Sequence, residues 1–272
     1  MEMTANPNSS TTHPTSVRPI RAFSDNYIWL ISRGGLACVV DPGDAAPVLA
    51  QLEQEKLKLI AILLTHHHAD HVGGVNELVQ ATGATVYGPA MEQLPHCDRL
   101  LSEGDCVTLD DLDTSLHVLD LPGHTAGHIA YAGTVTGEPV LFCGDTLFAG
   151  GCGRIFEGTP AQMHASLSKL AALDPQTSVY CAHEYTLSNL KWACQVENHN
   201  QTLQAWQEQA KSLRERDMPT VPSNIGQELL CNPFLRTRQP DVVQAAAKWA
   251  NRELTSDIEV FAALREWKNS FR

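Results

Sequence analysis

Apolar residues fall into short runs separated by polar turns through most of this chain, and the pattern becomes helical after residue 159. The early runs predict strands, whose residue ranges are 20–23, 27–32, 37–40, 59–64, 85–87, 106–109, 116–119, 129–132, 140–142 and 178–181. Helical spacing predicts two helices, each between two early strands. One covers 45–55, where Asp44 is a suitable N-cap, and the other runs from 72 through 81. This order predicts a mixed sheet arrangement with helices outside, an α+β fold.

Helical periodicity dominates the last part of the chain. Helices are predicted over residues 159–173, 186–196, 202–216, 241–251 and 258–269. From Tyr185 onward we expect only helices. The change in composition predicts an unstructured leader over residues 1–17, a β-rich domain over 18–183 and a helical C-terminal domain over 184–272.

Composition narrows the classes of partner. The chain has 272 residues, of which 43% are hydrophobic, so it can bury a core. Its formal net charge of -12 argues against a nucleic-acid groove, since phosphate binding needs clustered Lys and Arg. Because apolar runs stay far below membrane-spanning length, we expect a soluble chain without a membrane partner.

The leader and the cysteines indicate the compartment. Residues 1–17 are rich in Thr, Ser, Asn and Pro and lack the apolar core of a secretion signal, so we expect them to be disordered. Eight cysteines occur without a C-x-x-C pair. They are expected to be reduced, mostly buried thiols of a cytoplasmic protein.

The segment 65–71, Thr-His-His-His-Ala-Asp-His, is the strongest chemical signal in the sequence. It lies between the apolar run 59–64 and Gly73-Gly74, where a loop would present its side chains. His66 and His68 can point to one side of an extended segment, whereas Asp70 and His71 follow the turn. This spacing indicates two neighbouring metal positions. A solvated loop that binds metal adventitiously is the alternative, which the ordered flanks disfavour.

Three other predicted strands are followed by further ligand candidates, which we expect at the same edge of the sheets. The full set is His66, His68, Asp70, His71, His124, Asp145 and His183. Nitrogen and oxygen donors alone suit zinc, manganese or iron. Asp145 is the natural bridge because one carboxylate can offer an oxygen to each of two ions. His67 is expected to support its neighbours, His128 to support the loop of His124, and His96 to be a surface or packing residue.

Residues 65–71 resemble the T-H-x-H-x-D-H motif of the metallo-β-lactamase superfamily. Five more segments resemble the hydroxyacylglutathione hydrolase (glyoxalase II) family, namely 144–148, 151–154, 156–159, 183–186 and 232–236. The resemblance covers the chain from Arg18 to its end. It implies an αββα sandwich, with a metallo-β-lactamase-like catalytic domain over 18–183 and a helical glutathione-binding domain over 184–272.

The resemblance also implies roles for individual residues. His66, His68 and His124 would hold one divalent ion, Asp70, His71 and His183 a second, and Asp145 both, with zinc expected and iron or manganese as alternatives. Glutathione would be bound by Arg154, Tyr185, Arg265 and Lys268. Helical spacing alone indicates solvated surface charges at Arg265 and Lys268. Some family members have a tyrosine where this chain has Phe156, so one hydrogen bond to glutathione is expected to be missing.

The implied reaction is hydrolysis of the thioester S-D-lactoylglutathione, the second step of methylglyoxal detoxification, by a monomeric enzyme. A hydroxide bridging the metals would attack, and the catalytic residues Asp70 and Asp145 would bind the metals, with Asp70 orienting the hydroxide. The alternatives are a glutathione persulfide dioxygenase, an RNA-processing nuclease or another hydrolase of the superfamily, a flavo-diiron protein, and a regulatory protein with a relic metal site. A flavo-diiron protein is disfavoured because such proteins normally have a glutamate where His68 stands.

Overall fold

The structure, a computed structural model, describes residues 15–271. Two six-stranded sheets are present in this range. Across the first sheet the order is β1 (Ser16–Ala22), β2 (Asn26–Arg33), β3 (Leu36–Val40), β4 (Lys58–Leu63), β5 (Thr85–Pro89) and β6 (Arg99–Leu101). Across the second it is β14 (Ser223–Asn224), β13 (Ser178–Cys181), β10 (Glu138–Gly144), β9 (Ile129–Val135), β8 (Thr114–Asp120) and β7 (Cys106–Leu109). A small hairpin pairs β11 (Leu147–Phe148) with β12 (Gly151–Cys152).

Helices surround the sheets and form most of the last third of the chain. They are α1 (Ala45–Glu55), α2 (Ala69–Val72), α3 (Val75–Thr82), α4 (Pro160–Ala171), α5 (Thr186–Val196), α6 (Gln201–Glu215), α7 (Ile225–Cys231), α8 (Pro240–Ala250) and α9 (Asp257–Ser270). Asp44 caps α1 by accepting a hydrogen bond from the backbone N–H of Ala46, which confirms the predicted cap. Thr159 and Gln162 form a capping box at the start of α4.

Alternation along β2 shows how the layers pack. Trp29 and Ile31 belong to the apolar core between the two sheets, whereas Ile28 and Leu30 belong to a second cluster with residues of α1 and α3. Successive strand residues point to opposite faces, so this sheet is covered on both sides. The Trp29 indole N–H donates to the carbonyl of Cys181 at 2.9 Å and joins the two sheets. The predicted α+β sandwich with a largely helical C-terminal part is confirmed.

Several boundaries differ from the prediction. β1 begins at Ser16 because Ser16 and Val17 pair with β2, so the predicted leader is too long by these residues, and its residues 1–14 lie outside the described range. Gly73 and Gly74 divide the predicted helix from 72 through 81 into α2 and α3. The expectation of only helices after Tyr185 was wrong, because β14 pairs with β13. The sequence did not predict β6, β14 and α7, because these elements are too short to produce a periodic pattern.

The described residues contain no helix that is both long and apolar enough to cross a membrane. All eight cysteines are free thiols, and five of them, Cys38, Cys143, Cys152, Cys181 and Cys231, are buried.

Candidate metal centre and the adjoining cavity

Two triads of ligand-type side chains lie where β4, β8 and β13 end. In the first triad, Nδ1 of His68 is 3.1 Å from Nε2 of His66 and 3.0 Å from Nε2 of His124. In the second, Oδ2 of Asp70 is 3.5 Å from Nε2 of His71 and 3.5 Å from Nε2 of His183. Within each triad the ligand-type atoms lie no more than 4.8 Å apart, close enough to share one ion.

Asp145, which follows β10, lies between the triads. Its Oδ2 is 3.3 Å from Nε2 of His124 in the first triad. Its Oδ1 is 3.4 Å from Nε2 of His71 and 3.3 Å from Nε2 of His183 in the second. Each carboxylate oxygen therefore faces a different triad, which is the arrangement expected of a ligand shared by two ions.

The electrostatics of the site suit a cation. Nε2 of His71 and Oδ1 of Asp145 are buried and have no hydrogen-bond partner among the described residues. Burial lowers the pKa of His66 well below its usual value, which favours the neutral, ligating form. Burial also opposes protonation of His71, but Asp145, Asp41 and Asp70 outweigh it and raise its pKa to about 9. The carboxylates thus attract positive charge, which a bound metal ion would supply.

Asp41 and Thr65 orient one histidine of each triad. Asp41 accepts hydrogen bonds from the backbone N–H of Thr65 at 2.8 Å and from its hydroxyl at 2.7 Å. Because the Thr65 hydroxyl donates to Asp41, it accepts from Nδ1 of His66 at 3.0 Å. Asp41 also accepts from Nδ1 of His71 at 3.0 Å. Both histidines consequently present Nε2 lone pairs to the site.

The other two histidines that point Nε2 towards the triads are held in the same way. Nδ1 of His183 lies 2.8 Å from Oδ1 of Asp25, in the turn between β1 and β2. Nδ1 of His124 lies 2.8 Å from the backbone carbonyl of Arg154, which can only accept a hydrogen bond. Asn26 donates from Nδ2 to Oδ2 of Asp70 at 3.0 Å. Sequence reasoning missed Asp25, Asn26 and Asp41, although each follows a predicted strand at the same edge as the ligands.

The remaining histidines have distinct surroundings. His128 is buried, accepts a hydrogen bond at Nε2 from the backbone N–H of Asp145 at 3.2 Å, and stacks on His66. Nδ1 of His67 contacts Glu92 and its Nε2 lies 3.5 Å from Glu157, so His67 points away from the triads. His96 pairs with Asp98 at 3.2 Å, apart from the triads.

A cavity of about 520 Å³ adjoins the triads. Its lining includes His124 and Asp145 and all four residues that the sequence associated with glutathione, Arg154, Tyr185, Arg265 and Lys268. Further lining residues, which sequence reasoning did not single out, are Phe148, Ser188, Asn189, Asn269 and Phe271. The side chains of two distant parts of the chain therefore meet in one cavity beside the candidate metal positions.

Comparison with known proteins agrees with this geometry. Residues 22–183 match the family model of the metallo-beta-lactamase superfamily, and residues 184–271 match that of the hydroxyacylglutathione hydrolase C-terminus. A hydroxyacylglutathione hydrolase of Nitrosomonas europaea is 51% identical, covering 94% of this chain and 97% of that protein. The chain belongs to the hydroxyacylglutathione hydrolase family. One from Alkalilimnicola ehrlichii is 54% identical over 94% of this chain and 99% of that protein.

A solved structure adds to the comparison of metal sites. It is described as TTHA1623 in a di-iron-bound form, and it is 28% identical with a TM-score of 0.58. The alignment covers 80% of this chain and 100% of that one. As a member of the metallo-β-lactamase superfamily with this cluster of His and Asp side chains, the chain binds divalent metal.

The cations of this family member differ in their surroundings. Lys268 donates from Nζ to the Ser188 hydroxyl at 3.1 Å. Burial, followed by the charges of Arg265 and Arg154, lowers the Lys268 pKa to about 8. Arg265 is only 6% exposed and donates from Nη1 to the carbonyl of Cys152 at 2.8 Å. Helical spacing alone indicated that Arg265 and Lys268 are solvated surface charges, and that interpretation is wrong because both line the cavity.

Two aromatic rings lie at the boundary between the triads and the cavity. Tyr185 stacks on His183, with ring centroids 4.7 Å apart. Phe156 is 62% exposed and its ring centroid lies 5.2 Å from that of His124. As a phenylalanine it offers this side of the cavity an apolar surface and no hydroxyl donor.

Proposed function

We propose that this protein hydrolyses S-D-lactoylglutathione and related S-2-hydroxyacylglutathiones to glutathione and the free 2-hydroxy acid, the second step of methylglyoxal detoxification. The observation that carries the proposal is the position of Asp145. It faces both triads and lines the same cavity as Arg154 and Lys268. A hydrolytic metal centre and a binding site for an anion are thus directly adjacent.

In this proposal the ligands divide as the two triads do. His66, His68 and His124 would hold one ion, Asp70, His71 and His183 would hold the other, and Asp145 would serve both. Two zinc ions suit these nitrogen and oxygen donors, with iron and manganese as alternatives. A bound zinc ion would lower the pKa of a water ligand to about 7 and would polarise a carbonyl group.

The residues of the chain position the reactants. Asp70, whose carboxylate is fixed by Asn26, orients the attacking water, and Asp145 keeps the two positions at a set separation. The water gives up a proton to solvent and its oxygen forms a bond to the thioester carbon. The carbon–sulfur bond then breaks, the 2-hydroxy acid is released, and glutathione leaves as a thiolate. A thiol pKa of about 8.5 makes thiolate a good leaving group, so the reaction needs no general acid.

Glutathione recognition is assigned to the four cavity residues. Glutathione carries two carboxylates, which suit Arg154 and Lys268, and an arginine can hold a carboxylate through two hydrogen bonds. Tyr185 borders the thioester end through its contact with His183. Arg265 adds positive charge and holds the backbone of Cys152. We assign catalysis to residues 18–183 and glutathione binding to residues 184–272 with Arg154, in a monomeric, cytoplasmic enzyme.

Metal analysis together with thiol release from S-D-lactoylglutathione tests the proposal. The wild-type protein should contain about two ions per chain and cleave the thioester. Asp145→Ala should lose metal and turnover together, because it removes a ligand from both positions. Arg154→Ala should mainly raise KM. Lys248 is an exposed cation outside this cavity, so Lys248→Ala should change neither KM nor metal content. Full metal content and normal turnover in Asp145→Ala would refute the assignment.

A further inference from the structure

Glu92 is a buried carboxylate in the irregular segment between β5 and β6. Only 2% of its side chain is exposed, although the preceding residue, Met91, is 82% exposed. Isolated buried carboxylates are costly unless hydrogen bonds satisfy them. The partners of Glu92 therefore show why this acid is tolerated here.

All three partners of Glu92 belong to loops that carry ligands of the first triad. Its Oε1 accepts hydrogen bonds from the Thr125 hydroxyl at 2.6 Å and from the backbone N–H of Gly127 at 2.9 Å. Its other oxygen, Oε2, contacts Nδ1 of His67. Thr125 directly follows His124, and His67 lies between His66 and His68. One carboxylate consequently joins the two loops.

The two loops follow strands of different sheets. A backbone hydrogen bond from the N–H of Ile129 to the carbonyl of Thr65, at 2.9 Å, joins their bases, and Glu92 adds a connection nearer the triad. β4 precedes the loop of His66 and His68, and β8 precedes that of His124, so no shared strand ladder fixes their separation. Segment 91–92, which contains Glu92, packs directly against the loop of His124. A Cβ atom added to Gly127 would come within 2.7 Å of the backbone of Met91.

Glu157 reinforces the same contact from the solvent side. Its Oε2 accepts from the backbone N–H of Ala126 at 2.8 Å, and its Oε1 lies 3.5 Å from Nε2 of His67. It is more exposed than Glu92, at 39% of its side chain, so it contributes less. Both ring nitrogens of His67 thus face carboxylates, and the ring is held outside the triads.

We propose that Glu92 is a positioning residue that holds the two loops at the separation required by the first metal position. Glu92 does not contact the proposed ions or the cavity. It acts through Thr125 and Gly127 on His124, and through His67 on His66 and His68. The turnover readout rests on the proposed function, whereas the metal readout does not.

The decisive variants are Glu92→Ala and Glu92→Gln. Glu92→Ala should lower retention of one of the two ions during dialysis against a chelator, and reduce kcat by about 10- to 100-fold, as loss of such supporting groups commonly does. KM should stay within about twofold of wild type, because cavity cations are untouched. In Glu92→Gln the amide oxygen can still accept from Thr125 and Gly127, while its N–H₂ faces His67. This variant should restore most metal retention and turnover.

Glu197→Ala is the matched control. Glu197 is a comparably buried glutamate that accepts two hydrogen bonds from Arg236, away from the triads. It should lower the thermal midpoint while leaving metal retention intact. If Glu92→Ala does not fold, Thr125→Val takes its place. This substitution removes one hydrogen-bond donor to Glu92 with little change in side-chain size. It should lose part of its metal under dialysis conditions in which the wild type loses none.

The outcomes separate the two proposals. Full metal retention with unchanged kcat in Glu92→Ala, or in Thr125→Val if that variant replaces it, overturns the role of Glu92. Equal metal loss in Glu197→Ala overturns it too, since the effect would then follow general destabilisation. A wild-type protein that binds two ions but cleaves no thioester refutes the proposed function, and metal retention still tests Glu92.

Discussion

Lys268 provides a test of substrate binding that depends on pH. Burial and the neighbouring guanidinium groups of Arg265 and Arg154 lower its pKa to about 8. The side chain is therefore mostly a charged ammonium group below that pH and mostly a neutral amine above it. Only the charged form attracts a glutathione carboxylate. Affinity should therefore be high at pH 7 and fall as the pH rises through 8. Lys268→Arg, whose guanidinium stays charged, should bind with little change over this range.

The size of the effect follows from the fraction of charged lysine. With a pKa of about 8, roughly nine-tenths is charged at pH 7 and roughly one-tenth at pH 9. A hydrogen bond to a charged group contributes about 1.5 kcal/mol at the low end, which corresponds to about tenfold in binding. KM of the wild type should thus rise about fivefold between pH 7 and pH 9. Lys268→Met should have a KM about tenfold above wild type at pH 7, and only about twofold at pH 9.

The assay is initial-rate loss of the thioester of S-D-lactoylglutathione at pH 7, 8 and 9, corrected for spontaneous hydrolysis. KM is the quantity to follow, because titration of the metal centre affects kcat as well. Lys268→Arg controls for titration of the substrate, which is the same in every variant. A wild-type KM that changes no more with pH than that of Lys268→Arg refutes the reasoning. So does a Lys268→Met variant whose tenfold defect persists at pH 9.

Two further predictions concern metal retention and stability. Gly43→Ala would place a Cβ atom 1.9 Å from the Asp70 carbonyl oxygen, so it should displace Asp70 and weaken metal retention, whereas Gly34→Ala, which has open space, should cost stability alone. Metal content after dialysis distinguishes them, and full retention in Gly43→Ala would contradict this. Burial raises the Glu228 pKa to about 7, against hydrogen bonds from Ser223, Asn232 and Gly150, so folding favours the protonated acid. The contribution of Glu228 to stability is present below about pH 4.5 and is lost as pH rises through 7. The loss is up to about 3 kcal/mol relative to Glu228→Gln. Urea unfolding of both proteins at pH 5 and 8 measures this difference in stability, and parallel pH profiles of the two proteins would contradict the prediction.

The candidate metal ligands could be identified from the sequence because their signal is local. Segment 65–71 concentrates four candidates between a buried strand and two glycines, and His124, Asp145 and His183 each follow another strand. Strand ends at one edge of a sheet converge, so a common site follows without knowledge of side-chain positions. The two triads and the central place of Asp145 agree with that interpretation.

The supporting residues could not be predicted in this way. Asp25 and Asp41 contact histidines of the triads, and Glu92 contacts the loops that carry them, each from a separate loop. A single acid in a loop is usually a cap or a solvated group. The burial of Arg265 was also hidden, because its position on α9 gives no indication that the helix packs against Cys152. Each of these contacts joins segments far apart in the chain, and a periodic pattern contains no information about such pairs.

The metal centre and the cavity share one segment of backbone, residues 152–156. The carbonyl of Arg154 faces Nδ1 of His124, and the backbone N–H of Phe156 donates to the carbonyl of His124 at 3.2 Å. Side chains of this segment line the cavity, and Arg265 of α9 holds its start at Cys152. The C-terminal helices consequently do more than contribute cations to the cavity. They also support the segment that orients His124, so a candidate ligand in the β-rich part depends on the packing of the helical part.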